Sequence, residues 1–160
     1  MALRLSELLE PDRISLSLRA GDREGCLQET AALLESHPHM ADFSEFRREL
    51  LERLRLDTTS LGNSVALPHA RTRGVRQIIL AAGICPAGID YDGGPPPVKM
   101  IFVVGTPPDR PGDYLGLVGS LCRVVKDASS RDLLLAAHSP EQFIATVQAL
   151  EQRILGPRLR

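Results

Sequence analysis

The sequence predicts one layered α/β domain, because strand-like and helix-like segments alternate along the whole chain. Its 160 residues are enough to bury a core without disulfides or a metal ion. Hydrophobic residues make up 43% and charged residues 24%, a balance typical of a soluble globular protein. We expect a single domain over residues 1–155 and a loose tail over 156–160.

An opening helical turn at residues 6–9 leads into the first predicted strand. Apolar Ile14, Leu16 and Leu18 alternate with polar residues. A period of two is typical of a strand with one buried face.

Two helices come next. Asp22 can cap the first, which is expected to run to about Ser36 and to end in a loop over 36–39. The second is expected from about Asp42 to Leu56, with its Arg and Glu residues facing water. Its predicted buried positions are Phe43, Phe46, Leu50 and Leu54.

A loop and a short strand precede the most informative residue, His69. Residues 57–63 are small and turn-forming, and residues 64–67 form a short apolar run. Pro68 donates no backbone hydrogen bond and favours an extended residue before it, so the strand should stop there. His69 is therefore expected at a strand end.

Two longer apolar runs, residues 77–84 and 98–105, are candidate central strands. The segment 92–97 between them is rich in Gly and Pro, which predicts a turn and a stiff connector.

Three helices should complete the domain. The first is expected from Asp113 to about Lys126, followed by a short helix at 131–137. The last has the clearest start, with Ser139 as N-cap, Pro140 at the first position and Gln142 in the place of a capping box. The predicted buried stripe of the first helix is Leu115, Val118, Cys122 and Val125. That of the last helix is Phe143, Val147, Leu150 and Ile154.

Positive charge is concentrated around His69. Residues 47–76 hold seven Arg against three acids, a local balance of +4 in a chain of net charge −1. A neutral imidazole is a good nucleophile near pH 7, and guanidinium groups suit an incoming phosphate. This combination indicates a phosphohistidine site. Arg71, Arg73 and Arg76 would raise the local potential and recruit an acidic or phosphorylated partner.

The composition disfavours several other classes of function. No apolar run approaches the roughly 20 residues that span a bilayer, and the N-terminal residues lack the apolar region typical of a signal peptide. We therefore expect a cytoplasmic protein with no membrane insertion. Aromatic residues are scarce at 4%, which disfavours general binding of nucleic acid. Cys26, Cys85 and Cys122 lack metal-ligand spacing and are expected to be buried free thiols.

The remaining histidines offer no clear second site. His37 and His39 flank a proline, but no further ligands for a metal ion can be placed beside them. His138 precedes the last helix and is expected to be an exposed linker residue. We predict no metal site.

An ordered set of motifs surrounds His69. Arg53 precedes Thr58-Thr59-Ser60, then come Gly62-Asn63-Ser64 and Leu67-Pro68-His69. In this order the motifs resemble the type 2 enzyme IIA domains of the bacterial phosphotransferase system, the fructose, mannitol and nitrogen-regulatory branch. The resemblance covers nearly the whole chain.

The resemblance implies a three-layer α/β/α sandwich around a mixed sheet and a phosphocarrier function. His69 would accept a phosphoryl group from an HPr-type carrier, Arg53 would neutralise the phosphate, and Thr59 would lie beside it. Members of the branch suggest Nε2 as the phosphorylated nitrogen, and no nucleotide, metal or organic cofactor is needed. We favour the nitrogen-regulatory type, which acts on regulatory target proteins. The alternative is a sugar-specific type that passes phosphate to an enzyme IIB, and a homodimer stays possible.

The chain departs from the family pattern at four positions. Tyr114 stands where most relatives have a second His, and a phenol can still donate a hydrogen bond to a phosphate oxygen. Leu54 replaces the usual Glu. Ser60 and Ser64 replace glycines, which matters only where the backbone needs a positive φ. These departures motivate a rival hypothesis, a regulatory binding module that has lost productive phosphotransfer. A nucleic-acid binder with a basic loop is a third and weaker hypothesis.

Overall fold

A six-stranded mixed sheet forms the middle of the molecule. The computed structural model describes residues 3–56 and 59–157. The strands are β1 (Ile14–Ser15), β2 (Ser60–Gly62), β3 (Val65–Ala66), β4 (His69–Arg71), β5 (Ile79–Ile89) and β6 (Val98–Thr106). Their order is β1-β5-β6-β3-β2, and β4 also pairs with β6. The pairs β2–β3 and β5–β6 are antiparallel, whereas β1–β5, β3–β6 and β4–β6 are parallel.

Helices cover both faces of the sheet. They are α1 (Leu5–Leu8), α2 (Arg23–Ala32), α3 (Phe43–Leu56), α4 (Pro111–Val124), α5 (Ala128–Leu135) and α6 (Pro140–Leu155). Successive residues of β6 point to opposite faces. Ile101 and Val103 pack with α2 and α3, whereas Phe102 and Val104 pack with the other four helices. The predicted three-layer α/β/α sandwich is therefore confirmed.

The chain does not leave the sheet at Pro68, which corrects the predicted strand end. β3 stops at Ala66, but the carbonyl oxygen of Pro68 accepts a hydrogen bond from the backbone of Val104 at 3.0 Å. His69 then begins β4, with His69 opposite Val104. A proline lacks only the donor, so its carbonyl keeps the chain beside β6 and pairing resumes one residue later.

Helix α3 rests closely on the sheet because Gly105 of β6 has no side chain. A Cβ atom at Gly105 would lie 2.9 Å from Phe46 Cε1 and 3.0 Å from Val75 Cγ2. Gly105 lies opposite Ala70 of β4. No space is left at the point where the helix layer, β6 and β4 meet.

The buried stripe of α4 differs from the predicted one. The helix begins at Pro111, two residues earlier than expected, and it buries Leu117, Ser120, Leu121 and Val124. Leu115 is 68% exposed and Cys122 is also exposed. Apolar residues occupy more than half of the circumference of this helix, so their spacing alone does not decide which side faces the core. The prediction of a buried Cys122 thiol was therefore wrong.

Other predicted elements exist with different bounds. β1 contains only two residues, because the chain bends after Ser15 and returns where Leu18 N–H donates to the carbonyl of Ile84. Helix α2 ends at Ala32 rather than near residue 36, and α5 begins and ends earlier than predicted. Residues 57 and 58 of the predicted loop and residues 158–160 of the predicted tail lie outside the described residues.

The predicted helix caps are present. Asp22 Oδ1 accepts from the backbone of Gly25 at 2.9 Å, and Ser139 Oγ accepts from the backbone of Gln142 at 3.0 Å. The side chain of Gln142 accepts from the backbone of His138 rather than from the N-cap residue. The second half of the capping box is thus displaced by one residue.

A buried carboxylate joins the first helix to the last. Glu151 of α6 is only 1% exposed. Its carboxylate accepts from the backbone of Leu5 at 2.6 Å and from the backbone and hydroxyl of Ser6. Charge-assisted bonds of this kind are stronger than neutral ones.

Within the ranges that the structure describes, no helix has the length and apolar character needed to cross a bilayer.

Candidate functional site

His69 stands at the first position of β4, on the face of the sheet that α4 covers. Its side chain is half-buried, so the ring reaches solvent while its edge is held by the protein. The rings of His69 and Tyr114 are 4.7 Å apart between centroids and tilted by 37°. Tyr114 is the fourth residue of α4, and the early start of that helix at Pro111 brings it over β4.

Two oxygen atoms lie at Nδ1 of His69. The carbonyl oxygen of Leu67 is 3.2 Å away, and the hydroxyl of Tyr114 is 3.1 Å away. A carbonyl oxygen can only accept, so it favours the tautomer with hydrogen on Nδ1. In that tautomer the lone pair is on Nε2, which makes Nε2 the nucleophilic nitrogen.

Tyr114 therefore contacts Nδ1, the ring nitrogen opposite to the one that carries the lone pair in this tautomer. A hydroxyl can donate or accept, so Tyr114 can serve either tautomer of the ring. Unlike an imidazole, a phenol does not exchange its proton readily near neutral pH. The position where the family resemblance implies a second His is thus filled by a group that can orient the ring without relaying protons.

Thr59 is connected to this arrangement through Leu67. The carbonyl of Thr59 accepts from the backbone of Leu67 at 2.8 Å, and the carbonyl of Leu67 in turn faces His69. Thr59 has a φ of 56°, a conformation that is uncommon for a β-branched residue. Strained residues of this kind persist only where their surroundings hold them.

Tyr91 contacts Thr59 and is a further residue near the site that the sequence did not predict. Its side chain is 2% exposed, and its hydroxyl lies 3.5 Å from Oγ1 of Thr59. The Arg23 side chain donates to the carbonyl of Tyr91, and its guanidinium lies 5.7 Å from the ring centroid. Tyr91 is 32 residues from Thr59. In the sequence, Tyr91 is distinguished only as one of few aromatic residues, and this alone does not indicate a contact with Thr59.

The turn between β2 and β3 explains one of the two departures from glycine. Ser64 has a φ of 65°, and Gly62 and Asn63 also have positive φ. Ser64 thus occupies a conformation that glycine adopts more easily. Ser60 belongs to β2 and is not among the described residues with positive φ. The replacement of glycine therefore strains position 64 and not position 60.

Arg53 lies in another layer. It is an exposed residue in the last turn of α3, which covers the face of the sheet opposite to α4. Among the described residues it has no hydrogen-bond or ion-pair partner. Leu54, its neighbour, is buried in the core beneath α3. The structure brings Tyr114 to His69 and connects Thr59 through Leu67, but it does not place Arg53 against the ring. A role for Arg53 at the phosphate stays a prediction.

Exposed arginines and one apolar residue lie on the chain segments next to His69 and Tyr114. Arg71 lies two residues along β4, on the same side as His69, and its guanidinium donates to the carbonyl of Pro108 at 2.7 Å. Arg71, Arg73 and Arg110 are exposed, and none forms an ion pair with another described residue. Leu115, next to Tyr114, is exposed as well.

The other histidines lie away from this site. His37 and His39 line a separate cavity of about 440 Å³ beside α1 and the start of α4. Nδ1 of His37 accepts from the backbone of His39 at 3.0 Å. Burial, with a smaller contribution from Arg13, lowers the pKa of His37 below its usual value. No group of side chains in the described ranges is arranged to hold a metal ion. His138 is exposed.

The chain is similar to known proteins over most of its length. The chain is 28% identical over 150 residues to a nitrogen regulatory protein of Pseudomonas aeruginosa, covering 91% of this chain and 97% of that protein. It is also 28% identical over 138 residues to a fructose-specific EIIA component of Haloferax volcanii, covering 86% and 90% of the two chains. The crystal structure of the nitrogen regulatory protein IIA-Ntr of Neisseria meningitidis matches with a TM-score of 0.80 and 28% identity, over 89% of this chain and 98% of that one.

A family model covers most of the chain. Residues 7–149 match the family described as the EIIA 2 component of the phosphoenolpyruvate-dependent sugar phosphotransferase system. This range contains every strand of the sheet, His69, Tyr114 and Thr59. The protein therefore belongs to the EIIA 2 family of the phosphoenolpyruvate-dependent phosphotransferase system.

Proposed function

We propose that this protein is a phosphocarrier that accepts a phosphoryl group on Nε2 of His69 from the phosphohistidine of an HPr-type protein. Members of its family are phosphohistidine-carrying components of phosphotransferase systems. The observation that carries the proposal is the pair of oxygen atoms at Nδ1, the carbonyl of Leu67 and the hydroxyl of Tyr114. The carbonyl favours hydrogen on Nδ1, and the hydroxyl is compatible with that tautomer, so the nucleophilic nitrogen is Nε2.

The transfer itself is a displacement at phosphorus. The lone pair of Nε2 forms the new nitrogen–phosphorus bond while the bond to the donor ring breaks and its electron pair returns to that ring. Because hydrogen stays on Nδ1, the phosphorylated His69 ring becomes cationic, and the Leu67 carbonyl stabilises the Nδ1–H. Phosphoryl transfer needs little more than in-line placement and charge stabilisation, so few side chains suffice.

The other site residues have subordinate roles in this proposal. Tyr114 orients the imidazole through Nδ1, and Thr59 fixes the backbone of Leu67. The roles of Tyr114 and Thr59 are inferred from their positions. Arg53 would neutralise the phosphate, a role inferred from residue type and family resemblance alone, since guanidinium groups suit phosphate oxygens.

The partner that delivers the phosphoryl group should present an acidic face. Arg71, Arg73 and Arg110 are exposed without carboxylate partners among the described residues. Unpaired surface charges of one sign increase the rate at which oppositely charged proteins associate. Leu115 adds an apolar contact beside His69. A cytoplasmic location and a homodimer stay predictions.

We infer the nitrogen-regulatory type, in which phosphorylation of His69 controls binding to regulatory target proteins. Support comes from the relative of Pseudomonas aeruginosa and the structure from Neisseria meningitidis. The fructose-specific relative has the same identity, 28%. It supports the second candidate, a sugar-specific component that passes phosphate to an enzyme IIB.

The experiment that tests the proposal is phosphorylation with phosphoenolpyruvate, enzyme I and an HPr-type carrier, followed by intact mass measurement. The expected result is the mass of one phosphoryl group, lost in acid and absent in His69→Ala. His138→Ala is the matched control, because His138 is exposed and lies at another part of the fold. An unchanged mass with several HPr-type donors contradicts the proposal and favours a binding module without transfer. Onward transfer to a fructose-type enzyme IIB would identify the sugar-specific type.

A further inference from the structure

Two cysteines that are far apart in the sequence meet in the core between α2 and β5. Cys26 and Cys85 are 59 residues apart, yet their Sγ atoms are 3.5 Å from each other. Cys26 has no exposed surface and Cys85 is 5% exposed. The third cysteine, Cys122, is exposed on α4. The site around His69 uses none of these thiols.

The hydrogen bonds of the pair give the two sulfur atoms different roles. Cys26 Sγ donates to the carbonyl of Ala20 at 3.2 Å. The thiol proton of Cys26 is therefore engaged, and the thiol of Cys85 is the donor between the two sulfur atoms. Because Cys26 Sγ lies 3.5 Å from Cys85 Sγ, Cys26 is placed to attack a modified Cys85.

The backbone at Cys85 is less constrained than the rest of β5. Ile84 pairs with Met100, but the next pair joins Ile89 to Val98, so the register shifts directly after Ile84. Pro86, the residue after Cys85, is exposed. A bulge of this kind leaves residues outside the regular ladder. The Cys85 sulfur can therefore approach Cys26 without breaking a regular β5–β6 pair.

We propose that Cys26 and Cys85 form a modification site that closes to an intramolecular disulfide when a low-molecular-weight disulfide acts as oxidant. The Cys85 thiol exchanges with the oxidant, forms a mixed disulfide and releases one small thiol. Cys26 then attacks the Cys85 sulfur, forms the protein disulfide and releases the second small thiol. Two protein thiols are oxidised and one small disulfide is reduced to two thiols.

The reaction is slow at neutral pH, because the thiolate is the reactive form. Burial, with smaller contributions from the contact with Cys26, raises the pKa of Cys85 to about 12. Burial also raises the pKa of Cys26, and the carboxylates of Glu29 and Asp22 act in the same direction. The thiolate fraction of Cys85 below pH 12 increases about tenfold per pH unit. The bond should therefore form faster in mildly alkaline solution.

The disulfide links α2 to the sheet. A bond across 59 residues restricts the unfolded chain substantially and stabilises the folded state. For a chain of this length the expected increase in Tm is about 10 °C. The increase should disappear when the bond is reduced.

The experiment uses the full chain carrying Cys122→Ser, so that the exposed thiol cannot react. The protein is incubated with oxidised glutathione at about pH 8.5 and analysed by intact mass, by peptide mapping and by thermal denaturation. We expect the loss of two hydrogens, a peptide joining Cys26 to Cys85, and a higher Tm that a reductant reverses. In the same background Cys26→Ala should instead retain glutathione on Cys85, because the attacking thiol is gone.

Three outcomes overturn the proposal. One is a chain whose mass does not change after prolonged oxidation in native buffer. A second is glutathione that stays on Cys85 although Cys26 is present. The third is a linked peptide that forms only in denaturant. Each readout is independent of phosphotransfer, so the result does not depend on the function proposed for His69.

Discussion

Replacing Tyr114 by Phe removes one oxygen atom from the candidate site and leaves its packing. The hydroxyl lies 3.1 Å from Nδ1 of His69, whereas the ring contact at 4.7 Å needs no oxygen. A hydrogen bond between neutral groups contributes about 0.5–1.5 kcal/mol. Since 1.4 kcal/mol corresponds to a factor of ten, the rate of phosphoryl transfer to His69 should fall by about 2- to 10-fold. The Leu67 carbonyl remains at Nδ1, so transfer should be slowed and not abolished.

The assay is single-turnover transfer from a phosphorylated HPr-type donor, measured by rapid quench over a range of pH. The rate should fall toward acid pH in both proteins, because only the neutral imidazole is a nucleophile. Tyr114→His, which introduces the residue that the family resemblance implies, should transfer at least as fast as the unaltered chain. Thermal denaturation of Tyr114→Phe checks that its core is intact.

Transfer by Tyr114→Phe at the unaltered rate at every pH would contradict a role of the hydroxyl at His69. In that case the hydroxyl would be a neighbour of Nδ1 without influence on the ring. A complete loss of transfer would also contradict the prediction, because the Leu67 carbonyl would then be insufficient to hold the productive tautomer. His69→Ala sets the baseline for both comparisons.

Three further predictions concern stability and partner recognition. Ser64→Gly should raise the stability by about 1 kcal/mol and Tm by about 2–4 °C, because φ is 65° there. Lower stability in thermal denaturation would show that the serine is not strained. Glu151→Gln should destabilise the fold by about 2 kcal/mol in urea denaturation, because its buried carboxylate accepts from the backbone of Leu5. An unchanged midpoint would contradict this. Combined Arg71→Ala and Arg73→Ala should slow association with an HPr-type donor at low salt and have less effect at high salt. An equal loss at all salt concentrations would argue against steering by charge.

Local signals in the sequence predicted local structure well. The caps at Asp22 and Ser139 are present because an N-cap depends only on the next three residues. Which side of α4 faces the core is decided by its packing on the sheet. The sequence pattern alone did not show this, and Leu115 was wrongly expected to be buried. Pro68 was a correct sign of a break in the strand, but the continued pairing with β6 depends on a segment more than thirty residues away.

The candidate site shows the same division between local and distant information. His69 is recognisable in the sequence by the motif around it. Tyr114 was predicted as a site residue only through the resemblance to a family. The contact of Tyr91 with Thr59 and that of Cys26 with Cys85 join residues 32 and 59 positions apart. The periodicity of apolar residues within one helix or strand cannot predict such contacts. They depend on how the helices and the sheet pack together.

Gly105 sets a limit on how this protein can vary. One added methyl group would press on Phe46 and Val75, so these side chains or the α3 layer would have to shift. Ala70 lies directly opposite, and its neighbour on β4 is His69. A substitution at Gly105 is therefore expected to disturb the position of His69, although Gly105 itself is not part of the candidate site.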